Sequence, residues 1–343
     1  MATINGFINL YKPADWTSHD CVARLRRLLN TKKIGHGGTL DPKATGVLPV
    51  AVGKATRLLQ YLPDGKEYRA VVRFGVTTTT DDLEGEIVTQ RTAAALVLAD
   101  IEAALPQFLG KIDQTPPIYS AIQVDGKRLY HLARQGKTVE VPTRQVTIRQ
   151  LKSQRWQPGE QPELTLDIDC GPGTYIRSLA RDLGSAVGTG ATLASLIRTH
   201  SSGFDLADSI TLEDIEQGLR SGTLEPVAAG QAVQHLQAIA LPPDLAHRWR
   251  MGQKLPVSEQ MMGDGLGELA AVSEGAPSAP LRILDAKTQV FLGVGEIEMG
   301  QPTVALSSDI DQAAPIKILS CSRVYLSQDG PGSTIASNEQ TSN

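Results

Sequence analysis

Cysteine is scarce in this chain: Cys21, Cys170 and Cys321 are all that 343 residues contain. They stand far apart with no CxxC pair, which argues against a disulfide framework or a zinc knuckle and places the protein in a reducing compartment, the cytoplasm. Long apolar runs are missing as well. No stretch reaches the roughly 18 consecutive apolar residues that a membrane-crossing helix needs. The opening residues, MATINGFINLYKP, lack the basic start and apolar middle of an export signal. Neither export nor a membrane partner is expected. Aromatic residues make up only 4% of the chain, and no internal repeat is evident. Apolar content of 41% and charged content of 20% are nevertheless those of a globular protein, and the length suffices for two domains with separate cores.

A positive charge excess is also absent, since the net charge is −4. Its distribution says more than its sum. Residues 1–75 carry 12 Lys and Arg against 5 Asp and Glu, and residues 111–155 carry 9 against 3, whereas residues 235–343 carry 7 against 12. Two basic regions on an acidic remainder can neutralise phosphates locally, although solvated surfaces would show the same charge counts.

The stretch GHGGTLDPKATG, Gly35 to Gly46, organises the reading of the rest. Four glycines, one histidine and one carboxylate, Asp41, stand between a basic helical segment and the apolar run Val47 to Val52. Pro42 fixes the backbone directly after the acid, so Asp41 is held. Glycines around Asp-Pro are ordinary turn chemistry, and the loop alone supports a structural turn more readily than a site. It is not a Walker A loop, because Gly53-Lys54 is followed by Ala55 and the first glycine's place is taken by Leu48. It lacks the G-x-G-x-x-G spacing of a dinucleotide fold. One histidine and one aspartate without a nearby cysteine make a poor zinc site.

In chain order, GFINLYKP reads as a strand ending at Pro13, and Thr17 to Asp20 as the capping box of a helix that buries Val22, Leu25, Leu28 and Leu29. Val47 to Val52 reads as a buried strand, Lys54 to Leu62 as a helix, and Lys66 to Val76 as a strand returning through Gly85 to Val88 as a hairpin. Thr92 to Leu105 reads as a helix ended by Pro106. The basic, irregular segment that follows, carrying Tyr119, Tyr130 and His131, is either an RNA-gripping insertion or a surface excursion. Leu164 to Cys170 alternates as a strand, and a helix starts after GPGTY with Leu179, Leu183 and Val187 on one side. Arg177 near its start gains nothing from the helix dipole and is expected to pair with a carboxylate from elsewhere. Beyond Gly230 come a long loop, Ser258 to Pro280, and the short strand candidates LRILDA, FLGVGEIE, TVALSS and IKILSC, which suggest a small barrel or sandwich. The last residues are too polar to fold.

Five ordered pieces, KPADWTS, IGHGGTLDPKATGVLPVAVGKATR, KEYRAVVRFGVTTTTDDLEGE, QTPPIYSAIQVDGKRLYHLAR and GTYIRSLARDLG, together resemble the TruB-type tRNA pseudouridine synthases over about residues 5–215. RILDAKTQVFLGVGEI resembles the PUA-type RNA-binding domain more loosely. The resemblance implies an α+β fold, with a mixed, mostly antiparallel sheet flanked by helices and a small β-rich, barrel-like C-terminal domain. It divides the chain into a catalytic domain over 1–230 with an RNA-gripping insertion at about 112–146, an RNA-binding domain over 231–326, and a disordered tail over 327–343. It implies isomerisation of a T-loop uridine of tRNA, position 55, to pseudouridine, by base flipping and cleavage and re-formation of the glycosidic bond, without cofactor, metal or guide RNA, in a monomer.

By the same resemblance Asp41 is the essential carboxylate, Arg177 its partner, and Tyr68 the ring that stacks on the uracil. Tyr175 and Leu196 line the pocket, Asp82 joins the arginine's network, and His36 fills the space left by the flipped base. Read without the family, Tyr68, Tyr175 and Leu196 would be core residues. The chain departs from the family pattern at Asp15, where glycine is usual, and at Gln123, Thr192 and Thr79. Two other readings stand beside the stand-alone enzyme: a tRNA-folding chaperone on the same basic face, and a guide-RNA-dependent synthase of the dyskerin type, against which the insertion argues.

Overall fold

A computed structural model of the chain describes residues 4–120, 123–124, 127–128, 141–256, 279–300 and 316–324. Strand β1 (Gly6–Lys12) is followed by β2 (Ile34–His36), β3 (Thr45–Val52), β4 (Lys66–Phe74), β5 (Val76–Thr78), β6 (Ile87–Gln90) and β7 (Gly110–Gln114). Next come the short pair β8 (Gln123–Val124) and β9 (Lys127–Arg128), then β10 (Arg144–Gln157), β11 (Glu163–Cys170), β12 (Ala191–Ser201) and β13 (Phe204–Asp205). A nine-stranded sheet runs in the order β1-β3-β12-β4-β11-β10-β7, with β2 on β3 and β13 on β12. Every pairing is antiparallel except the short parallel contact of β12 with β3 at Ile197 and Arg198.

Helices cover this sheet where the sequence supplies an apolar stripe. Helix α1 (Ser18–Leu28) starts at Thr17, whose hydroxyl accepts from the Asp20 amide while the Asp20 carboxylate accepts from the Thr17 amide, the expected capping box. Its Cys21, Val22 and Leu25 pack with Ile8, Leu10, Leu48 and Val50 and with Leu212 and Ile215 of a later helix, α4 (Leu212–Ser221). Helix α2 (Leu98–Ala104) and helix α3 (Ile176–Ala186) join a second core, in which Leu179, Ala180 and Leu183 meet Ala70, Val72, Leu164 and Leu166. Each such large aliphatic side chain removed from water stabilises the fold by about 1.5–3 kcal/mol.

Several elements differ from the sequence expectation. The helix read from Lys54 to Leu62 is present as a 3-10 helix over Gly53–Tyr61. The helix expected from Thr92 begins only at Leu98, because the Ala93 amide bonds to the Glu160 carbonyl at 2.7 Å and the chain ahead of it turns to meet that strand connection. The strand from Lys66 stops at Phe74, since Gly75 (φ +81) turns aside to bond Gly190, and the hairpin is made by β5 with β6 instead. Strands β10 and β12 and helix α4 were not foreseen.

The C-terminal part is a five-stranded curled sheet, ordered β14 (Ala238–Leu241), β16 (Leu281–Asp285), β17 (Phe291–Gly300), β18 (Ile316–Val324), β15 (Leu255–Pro256), over helix α6 (Pro243–Arg250). Trp249, fully buried, centres its core with Ile239, Ile283, Leu292 and Leu319. Phe291 and Val294 also pack toward Phe7, Val47 and Ala229, so the two sheets share a hydrophobic contact. Helix α5 (Ala229–Ala232) lies in that seam, where a side chain at Gly230 would come within 2.7 Å of Phe291. The strand candidate TVALSS, the polar tail and residues 121–122, 125–126 and 129–140 of the insertion at 112–146 lie outside the described residues.

Candidate active site

The loop between β2 and β3 delivers Asp41 to the mouth of a cavity of about 270 Å3 lined by Asp41, Lys66, Tyr68, Tyr175, Arg177 and Leu196. The loop is tied from behind. Lys12, at the end of β1 and fully buried, donates from Nζ to the carbonyls of Pro13 (2.8 Å), Trp16 (2.5 Å) and Pro42 (2.9 Å). The Asp15 amide also donates to Pro42, at 3.0 Å, and the Ala44 amide to the Asp41 carbonyl, at 3.1 Å. Asp15 takes the left-handed conformation (φ +65) that glycine adopts freely, and its carboxylate pairs with Lys43. This pair is well exposed and worth little, and Asp tolerates that conformation better than most residues. Asp15→Gly should therefore melt within about 1 kcal/mol of wild type, whereas a β-branched Asp15→Val should lose about 1–2 kcal/mol. Thermal melts of both variants check this, and equal melting would remove the backbone argument.

Arg177, in the first turn of α3, is the expected cation, with its side chain only 7% exposed. Its Nε lies 2.9 Å from Asp41 Oδ2 and 3.6 Å from Asp82 Oδ2, while Nη1 and Nη2 donate to the carbonyls of Thr80 and Tyr119. Every nitrogen of the guanidinium thus has a partner. Asp41, by contrast, is 42% exposed at its side chain, so the carboxylate sits at the lip of the cavity rather than buried within it. One turn later Arg181 repeats the motif, pairing with Asp81 at 2.8 Å and donating to the Thr115 carbonyl. Sequence reasoning missed this second pair, although the four-residue spacing of two arginines on one helix face, opposite consecutive aspartates, was a readable signal.

Tyr68 is 7% exposed and lines the cavity from β4. Burial pushes its phenol above the ordinary value, and the nearby Arg198 guanidinium opposes that shift. Tyr175, at the entrance to α3, is held by a reciprocal amide pairing: its backbone N–H donates to Gln114 Oε1 at 2.8 Å and its carbonyl accepts from Gln114 Nε2 at 3.1 Å. Its own phenol is raised by burial. Leu196 stands on β12 opposite Ala70 and lines both this cavity and a smaller one of about 220 Å3, which adjoins the first at Asp41 and Leu196 and is also lined by Asp82.

His36 is not brought into the Asp41 cavity. It lines a neighbouring groove of about 400 Å3 with Gly37, Gly38, Leu62 and Pro172, joined to the first through Lys66. Its Nδ1 is buried without a hydrogen-bond partner, and burial together with the Arg198 charge lowers its pKa below the ordinary 6.5. Folded protein then binds fewer protons at this site than unfolded chain, so its contribution to stability is full above about 6.5 and falls as pH drops through the lowered folded value. The proton NMR titration of His36 should show a midpoint below 6.5, and His36→Asn should flatten the stability loss over that interval. A midpoint at or above 6.5 would contradict the burial argument.

Among the described residues no group of three or more His, Cys, Asp or Glu is arranged to hold a metal ion, and no helix is long and apolar enough to cross a membrane.

The family profile described as TruB family pseudouridylate synthase (N terminal domain) matches residues 26–176. Two further profiles, a tRNA pseudouridylate synthase B C-terminal domain and a pseudouridine synthase II TruB C-terminal region, match 177–244 and 238–301. The tRNA pseudouridine synthase B of Trichormus variabilis is 54% identical over 297 residues, covering 87% of this chain and 96% of the relative. That of Acaryochloris marina is 52% identical over 303 residues, covering 88% and 98%. Among solved structures, a chain of a Cbf5-Nop10-Gar1 complex superposes with a TM-score of 0.64 at 26% identity, covering 95% of this chain and 86% of that one.

Proposed function

The chain belongs to the TruB family of pseudouridylate synthases, and from that premise we propose that it converts the T-loop uridine of tRNA at position 55 to pseudouridine. The observation that carries the residue assignment is the Asp41–Arg177 contact at the mouth of a cavity that Tyr68 also lines. In the reaction the bond between the sugar C1′ and uracil N1 breaks, the base turns, and C1′ joins C5. N1 ends with a proton and C5 loses one, so nothing is oxidised and no group leaves for good.

The target must leave its stack to reach the cavity, at a cost of a few kcal/mol that stacking on Tyr68 partly offsets. Asp41 supplies the carboxylate on which bond cleavage depends, and its partial exposure gives a flipped nucleoside access to it. Arg177, fixed by the carbonyls of Thr80 and Tyr119, holds that carboxylate toward the base, with Asp82 as the outer member of the network. Tyr175 and Leu196 shape the walls. His36, which lines the groove beside Lys66, is assigned to the gap left in the RNA stack. The RNA grip is assigned to the insertion at about 112–146 and to a C-terminal RNA-binding domain over about 231–326, with the catalytic domain ending near residue 230. The protein works in the cytoplasm as a monomer without cofactor, metal or guide RNA.

The test is incubation of purified protein with an unmodified tRNA transcript, with chelator and no other addition, followed by mapping of pseudouridine. Product at the T-loop uridine is expected. Product at a different uridine would overturn the site assignment, and bound but unmodified tRNA would favour a tRNA-folding role.

A further inference from the structure

Arg198 is fully buried, and among the described residues no carboxylate lies within ion-pair distance of it. It sits on β12 two residues from Leu196, so strand alternation sends both side chains to one face. Three backbone carbonyls take its N–H groups: Val47 from Nε at 2.7 Å, Thr39 from Nη1 at 3.3 Å and Gly38 from Nη2 at 3.1 Å. They bracket the Asp41 loop on both sides. The backbone is close as well, since a side chain at Gly46 (φ +99) would come within 2.3 Å of the Arg198 carbonyl oxygen. A guanidinium held by three fixed acceptors cannot swing. Tyr68 is its cross-strand partner on β4, and the guanidinium charge acts on the Tyr68 phenol.

We propose that Arg198 is a positioning residue for the isomerisation, one that donates to the phenolic oxygen of Tyr68 and thereby turns the Tyr68 hydroxyl proton into the cavity toward the bound uracil. The proposal rests on the reading that Tyr68 touches the base. A guanidinium has donors only, so the bond engages a lone pair of the phenol oxygen and leaves its O–H to point away from Arg198. The charge has a second effect. Burial disfavours ionisation of Tyr68 and the guanidinium opposes that, so the hydroxyl gives up its proton more readily than a phenol buried alone. A tie across the loop could be made by neutral donors without burying a cation; orienting and polarising a phenol calls for the charge.

The experiment measures single-turnover conversion of a tRNA transcript, tRNA affinity and melting temperature for wild type, Arg198→Lys, Arg198→Met, Tyr68→Phe and the double variant Arg198→Lys/Tyr68→Phe. Arg198→Lys, which keeps the charge but loses the fork, should slow turnover about 10- to 100-fold with affinity within about threefold, and Arg198→Met should be slower still. In the Tyr68→Phe background Arg198→Lys should cost less than about threefold more, because the group it aims is gone. Multiplied losses in the double variant, or a wild-type rate for Arg198→Lys, would overturn the proposal, and the Lys variant keeps the test decisive if Arg198→Met does not fold. Wild-type turnover by Tyr68→Phe would instead overturn the reading of Tyr68 and this inference with it. Absence of product from wild type, seen before any variant is made, would fall on the proposed function.

Discussion

Replacement of Asp41 by asparagine should bring pseudouridine formation below detection, a loss of at least about four powers of ten in single-turnover rate, with tRNA affinity within a few-fold of wild type. Asparagine has the same shape but no negative charge, and it cannot act as the carboxylate that the proposed bond cleavage requires. The substitution leaves the loop's supports alone, because these are backbone groups: the Pro42 carbonyl under Lys12 and Asp15, and the Asp41 carbonyl under Ala44. Little stability is at stake. With Asp41 42% exposed, solvent screens its ion pair with Arg177, and the melting temperature should barely move. Turnover comparable to wild type would remove Asp41 from the mechanism, while loss of folding along with activity would show the pair to be structural.

Lys12→Met should be the most damaging change made away from the cavity lining. Methionine can follow the path of the lysine stem but donates nothing, so the carbonyls of Pro13, Trp16 and Pro42 lose their common partner. The Pro42 carbonyl keeps the Asp15 amide, and each buried acceptor left unpaired costs about 1–3 kcal/mol. Against that stands the relief of no longer burying an ammonium, a burden visible in the downward shift that burial imposes on Lys12. Removing one partner while its acceptors remain is the unfavourable case, so the net loss should be about 2–4 kcal/mol, or roughly 5 °C or more in melting temperature. Activity should fall as well, because the Pro42 carbonyl is the joint through which Asp41 is held. A melting temperature equal to wild type would mean that the ammonium's burial cost balances its bonds and that backbone contacts alone fix the loop.

Much of the site was readable before the fold was known, for identifiable reasons. Asp41 stands in a glycine-rich Asp-Pro loop, and Arg177 at a helix start where its charge has no local use, and each pattern is contained in a few consecutive residues. Helix α1 was legible because its cap, Thr17 with Asp20, is spelled within four positions. Strand β12 was not, because its eleven residues mix buried, partly buried and exposed positions without clean alternation, and its place in the sheet comes from pairing with β4 and β3. The helix expected from Thr92 was overestimated for a related reason: its first turn is claimed by a carbonyl from the distant residue Glu160.

The ordered motifs of the sequence pointed by themselves to the family, and that resemblance implied the mostly antiparallel sheet and the pairing of Asp41 with Arg177, while the spacing of short apolar runs indicated the β-rich character of the C-terminal part. Only the tertiary structure decided that Asp41 stands at the lip of its cavity, that His36 opens into a separate groove, and that two buried cations, Lys12 and Arg198, brace the Asp41 loop. The physical reason lies in the partners. Both cations bind backbone carbonyls, some of them 30 to 160 residues away. Every residue carries a carbonyl, so no letter marks which one will be used, and the acceptors become apparent only when the chain has brought them together.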